Sequence, residues 1–179
     1  LSIVQLRFAL EKWLGDTVFV KPLSGGKSPR ATILFADNEP YSLETSKEFL
    51  EKAGYAVIVA TNQKEATRKL EIGGIDVAIL DLRLENDDDE KDRSGLILAK
   101  NVALSVPKVI VTSFPSYDYV REALRPQLDG LPAAVKFIAR EEGLVAIREA
   151  IEDILGVSYA QKAGSSKKYK VFVAHGHDL

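Results

Sequence analysis

Asp76-Val-Ala-Ile-Leu80 runs straight into Asp81, and Leu82-Arg-Leu84 follows. An unbroken apolar run of this length, with no polar alternation, fits a strand covered on both faces, as in a parallel sheet. Its closing carboxylate stands where the strand opens into a loop. Open α/β sheets gather their functional groups at that edge, outside the carboxyl ends of the strands.

The same kind of run recurs along the chain. Thr32–Ala36, Ala56–Ala60, residues 108–111 and residues 133–135 are apolar, and between the runs lie segments with helical spacing over residues 41–53, 63–72, 94–104, 116–124 and 140–155. Strands alternating with helices five times over predict an α/β fold with a doubly wound parallel sheet, flavodoxin-like, in the strand order 2-1-3-4-5. The expected plan is an amphipathic helix and linker over residues 1–30, the α/β domain over 31–156, a linker over 157–168 and the start of a truncated second domain over 169–179. The first helix places Ile3, Leu6, Leu10, Trp13 and Leu14 on one stripe, an apolar face that homodimerisation would cover. A chain with no methionine that begins at Leu1 is expected to be an excised piece of something larger.

Composition removes several classes of function. Lys+Arg 24 against Asp+Glu 26 leaves a net charge of -2 with no basic stripe, so direct nucleic-acid binding is not expected. The absence of cysteine excludes disulfides, thiol catalysis and thiolate metal sites, and fits a cytoplasmic setting. No apolar run approaches the ~20 residues of a membrane span. Ser24-Gly-Gly-Lys-Ser28 copies the tail of a phosphate-binding P-loop, but Lys21 stands where that motif needs glycine and Pro29 follows where it needs a helix. His175 and His177 are separated by one residue with no other histidine in the chain, which does not make a zinc site.

The expected strand ends carry Asp37-Asn-Glu39, Asp81, Thr112-Ser113 and Lys136. Converging carboxylates repel, so the set calls for a divalent cation with oxygen ligands, and Mg2+ suits a site of carboxylates plus phosphate. These residues, in Ile33-Leu-Phe-Ala-Asp37-Asn-Glu-Pro40, Asp76 to Leu84, Val109-Ile-Val-Thr-Ser113 and Ala134-Val-Lys136, resemble the receiver domain of two-component response regulators over about residues 31–156. The resemblance implies Asp81 as phosphoacceptor, Thr112 as switch hydroxyl and Lys136 as the phosphate-binding lysine. It implies Mg2+ held by Asp37, Asn38, Asp81 and the backbone carbonyl of Arg83. A histidine kinase or a small phosphodonor would be the partner, and only self-phosphorylation and dephosphorylation chemistry is expected. The chain departs from the family pattern at four places. Asn38 replaces the second acid, Ala133 stands three residues before Lys136 where an aromatic is usual, Phe137 replaces a proline, and Asp81 to Gly95 spans 95 − 81 = 14 positions through the acidic Glu85-Asn-Asp-Asp-Asp-Glu90.

Two other readings stay open at this point. A degenerate receiver would serve as a phosphorylation-independent dimerisation or docking module. Lys170-Val-Phe-Val-Ala-His-Gly-His-Asp178 is similar to the opening strand of bacterial TIR-like nucleotide-binding domains, which would make the chain the regulatory part of a nucleotide-processing effector.

Overall fold

The computed structural model of the chain describes residues 28–127 and 130–162, with side chains as far as residue 156. The expected N-terminal helix and the similarity over residues 170–178 lie outside the described residues.

Five strands, β1 (Thr32–Ala36), β2 (Ala56–Ala60), β3 (Val77–Asp81), β4 (Lys108–Thr112) and β5 (Lys136–Ala139), form one sheet in the order β2-β1-β3-β4-β5. All four pairings are parallel, as the apolar runs require. The alternation of side chains along each strand splits the core into two layers. Ile33 and Phe35 of β1 with Val77 and Ile79 of β3 pack under Leu43 and Leu50 of α1 (Pro40–Lys52) and Ile147 and Ile151 of α5 (Gly143–Lys162). Leu34 and Ala36 with Ala78 and Leu80 pack on the other side. They meet Leu70 of α2 (Gln63–Ile72), Leu96 and Leu98 of α3 (Ser94–Asn101) and Ala123 of α4 (Tyr117–Leu124).

Side-chain caps explain where several helices begin. The Glu39 carboxylate accepts from the N–H groups of Tyr41 and Ser42 with Pro40 just inside α1, Asn62 accepts from Glu65 N–H, and Ser116 accepts from Tyr119 N–H. Gly95, in the first turn of α3, lies against the end of β3. A Cβ there would come 1.8 Å from the Asp81 carbonyl oxygen, so only glycine lets this helix approach.

The carboxyl-terminal third differs from expectation. The fifth strand is Lys136–Ala139, not residues 133–135, because Ala133 and Ala134 are spent filling the core beside α4 before the ladder begins. Ala134 N–H donates to Ala123 O, and Lys136 pairs with Val109 near the start of β4. Arg140 is not the start of the last helix; Arg140–Glu142 is a single 3-10 turn, and α5 starts at Gly143. That helix runs through Gly156 to Lys162, into the segment expected to be a linker. One glycine costs a helix only about 1 kcal/mol relative to alanine, too little to end it.

Candidate functional site

The site lies at the carboxyl edge of the three central strands. Asp37 follows β1 and Asp81 closes β3, and both are buried. Thr112 closes β4 and is also buried, with its hydroxyl oxygen accepting from Phe114 N–H at 3.1 Å. Asp37, Asn38, Asp81 and Thr112 are thus brought to one edge, as the sequence leads one to expect.

Lys136 is not among them. It opens β5, so the length of that strand separates it from the edge that holds Asp81, and its Nζ pairs instead with Asp153 Oδ2 of α5 at 2.7 Å, in solvent. The four-residue displacement of the carboxyl end of β5 is the reason. The residue that leaves the strand at the carboxyl edge, one past the Thr112 partner Ala139, is Arg140. The same displacement puts Phe137, rather than Ala133, three residues before that cation, and none of the described peptide bonds is cis.

Arg140 reaches across the edge and holds both acids. Its Nη1 donates to Asp37 Oδ2 and to Ser42 Oγ, each at 2.9 Å, and its Nη2 donates to Asp81 Oδ1 at 2.9 Å. Ser42 Oγ also donates to Asp37 Oδ2 at 2.6 Å, and Asp37 Oδ1 accepts from Glu39 N–H. The planar fork of a guanidinium allows one side chain to bridge two carboxylates in this way. Burial pushes the Asp81 carboxyl up to about 7, with the nearby Asp37 charge adding to the rise and Arg140 opposing it. For Arg140 burial acts downward, but Asp37 and Asp81 outweigh it and raise its pKa.

Arg83 contributes more than its carbonyl. Its N–H donates to Asp81 Oδ2 at 3.1 Å, while its guanidinium lies 4.0 Å from the Phe114 ring centre and donates to Asp87 O at 2.7 Å. One buried side chain therefore ties the loop after β3 to the loop after β4. The acidic insertion is a folded loop. Asp92 accepts from the N–H groups of Glu85, Asn86 and Ser94, and Glu85 accepts from Gln63 N–H at the start of α2. Asp87 within it lies in electrostatic reach of the site. Burial raises its pKa, and Arg140 and Asp37 both act on it.

The donor set suits a hard divalent cation. Two buried carboxylates face the edge, and Asn38 Oδ1 is buried with no hydrogen-bond partner. Among the described residues no three His, Cys, Asp or Glu side chains converge on one metal position, and the charge between Asp37 and Asp81 is the guanidinium of Arg140.

A parallel sheet in this order, with buried acids ending its first and third strands and a cation reaching over from the end of the fifth, defines a doubly wound α/β domain of the flavodoxin-like class. The chain belongs to the response regulator receiver domain family, whose model matches residues 33–152. Solved structures share the fold. A CheY-like receiver domain from Methanospirillum hungatei JF-1 is 23% identical, with 76% of this chain and 100% of that one covered and a TM-score of 0.60. A response regulator from Burkholderia pseudomallei, with a phosphorylated aspartic acid, a calcium ion and citrate, is 24% identical, with 76% and 75% covered and a TM-score of 0.57. The response regulator TrrA from Thermotoga maritima, in complex with Mg(2+)-BeF, is 24% identical, with 69% and 98% covered and a TM-score of 0.52. None of the curated proteins matches the chain. No helix among the described residues is long and apolar enough to cross a membrane.

Proposed function

We propose that Asp81 accepts a phosphoryl group from the phosphohistidine of a histidine kinase or from a small phosphodonor, and that Arg140 takes the part the family gives to a lysine. The observation that carries this reading is the buried Asp81 carboxylate at the carboxyl end of β3, with a guanidinium on Oδ1 and a backbone N–H on Oδ2. In the transfer a carboxylate oxygen of Asp81 forms the new P–O bond while the bond from phosphorus to the donor nitrogen or oxygen breaks, and its electron pair leaves with the donor. The product is an aspartyl phosphate. Charge spreads over the equatorial phosphoryl oxygens as the bonds exchange, and Arg140, already donating to Asp81 Oδ1, is the cation in reach of them.

The oxygens that would hold Mg2+ are those of Asp37, Asp81, Asn38 and the Arg83 backbone carbonyl; bound there, the ion would supply further neutralisation of the transferring group. Arg140 opens the turn that leads into α5, so a guanidinium drawn from Asp37 towards the phosphoryl oxygens would move the β5–α5 junction. Thr112 lies on the neighbouring strand end as the hydroxyl that would follow the same group. The test is an adduct of beryllium fluoride and Mg2+, followed by fluorine NMR. The wild type forms it and Asp81→Asn does not; an adduct that survives in Asp81→Asn overturns the assignment.

A second reading is favoured by the engagement of every oxygen of both acids, by Arg140, Ser42 Oγ and the N–H groups of Glu39 and Arg83, which also describes a locked docking module. That module would form a dimer indifferent to Mg2+ and to Asp81→Asn, and light scattering on both proteins separates the two readings.

A further inference from the structure

The guanidinium of Arg140 stands in the gap that a divalent cation would need. It donates to Asp37 and Asp81, the two acids at the site, and Ser42 Oγ accepts from the same Nη1 that holds Asp37. Asn38 Oδ1 remains buried beside them with no partner. The charges are consistent with this arrangement. Two carboxylates and one guanidinium sum to −1, whereas an aspartate in place of Asn38 would leave −2 around a single monocation. The neutral amide at position 38 therefore keeps the charge that one arginine leaves uncompensated to a single unit.

We infer that Arg140 and a divalent cation are mutually exclusive occupants of the gap between Asp37 and Asp81, so that this receiver carries its own counter-cation and a metal ion binds only by expelling it. The carboxylate oxygens that face the gap are engaged by the arginine fork, and the same oxygens cannot accept two charge-assisted hydrogen bonds and coordinate an ion at about 2.1 Å in the same direction. Expulsion has a direction built into the chain. Arg140 is the first residue after β5 and belongs to the 3-10 turn before α5, where Glu142 accepts from Ala139 N–H. Metal arrival is thereby coupled to the turn, and through it to the first turn of the last helix, before any phosphoryl group is present.

The inference rests on the metal part of the proposed function and not on phosphoryl transfer. Its test is calorimetric titration of the full chain with Mn2+ and with Mg2+, in the wild type, Arg140→Gln and Arg140→Lys. Removing the fork is expected to tighten divalent binding by about tenfold or more, since the ion no longer displaces charge-assisted hydrogen bonds. Arg140→Lys, whose compact ammonium cannot fork across two carboxylates, is expected to fall between. It also keeps a positive charge at the site if Arg140→Gln fails to fold. In the wild type, added Mg2+ is expected to shift the Arg140 Nε–H resonance, which reports the guanidinium directly. Equal affinity in the three proteins overturns the inference, as does tighter binding in the wild type, no binding in any of them, or an Arg140 resonance unmoved at saturating Mg2+. Failure of Asp81 to accept phosphoryl groups, with the affinity difference intact, counts against the proposed function alone.

Discussion

Replacing Arg140 by alanine tests the electrostatics of the site in a quantity that can be worked from the structure. Asp37 and Asp81 are 1% and 3% exposed, and among the described residues the side-chain cation paired with both is the Arg140 guanidinium, whose side chain is 31% exposed. Removing one partner of a buried ion pair costs roughly 3–5 kcal/mol, because the charge left behind is neither solvated nor paired. The partial exposure of Arg140 places Arg140→Ala at the lower end, about 3 kcal/mol at pH 8. For a domain of this size that corresponds to a fall in Tm of about 6–12 °C. The loss should depend on pH with a definite sign. Burial already holds the folded-state pKa of Asp81 at about 7, above its ordinary value of 3.8, and without Arg140 it rises further. The folded variant then binds a proton that the unfolded chain releases, so its stability recovers as the pH falls from 8 towards 5. Urea unfolding followed by circular dichroism at pH 8 and pH 5 measures both quantities. A loss below about 1 kcal/mol at pH 8, or a loss as large at pH 5 as at pH 8, refutes the reasoning.

Other perturbations follow from the same geometry. Gly95→Ala would place a Cβ 1.8 Å from the Asp81 carbonyl oxygen, so it should cost at least about 1–3 kcal/mol, seen as a lower Tm, together with loss of the beryllium fluoride adduct; an unchanged Tm contradicts the close approach. Lys136→Ala removes only an exposed pair with Asp153, so it should cost less than about 1 kcal/mol and leave phosphoryl acceptance intact; a variant that folds but no longer accepts phosphoryl groups would return Lys136 to the site. Because burial raises the Asp81 pKa to about 7, its nucleophilic carboxylate form increases through that pH. Without added metal, the initial rate of labelling by a small acyl phosphate should therefore rise between pH 6 and pH 8, and a flat profile tells against a buried, partly protonated nucleophile.

The first four strands were legible because each is an apolar run that ends in a polar group. Asp37, Asp81 and Thr112 reach one edge for the same reason, since each follows or closes a strand buried on both faces. The fifth strand breaks that pattern. It sits at the sheet edge, begins with a lysine and is only partly buried, while the more apolar Ala133-Ala134 ahead of it belongs to the core beside α4. Reading apolarity alone therefore moved the strand towards the amino terminus and took Lys136 for its end. Phe137-Ile-Ala-Arg140 carries the signal that corrects this, an aromatic three residues before a cation, but the helical spacing that begins at Arg140 masks it. The order of the acidic insertion was not legible, because it comes from the side chains of Asp92 and Ser94 accepting the N–H groups of Glu85 and Asn86 across the loop. Nor was the hold of Arg83 on Asp87 and Phe114. It depends on how two loops from different strands meet, which no local pattern records.

Asp81 is proposed as a phosphoryl acceptor in a receiver whose cation at the end of the fifth strand is Arg140. The most direct measurement is intact-mass and fragment mass spectrometry of the chain after incubation with a small acyl phosphate, alongside Asp81→Asn. One phosphoryl group per chain is expected, mapped to Asp81 and absent from the variant. A chain that stays unmodified while Arg140→Lys is also unmodified, or a phosphoryl group mapped to any residue other than Asp81, would contradict it.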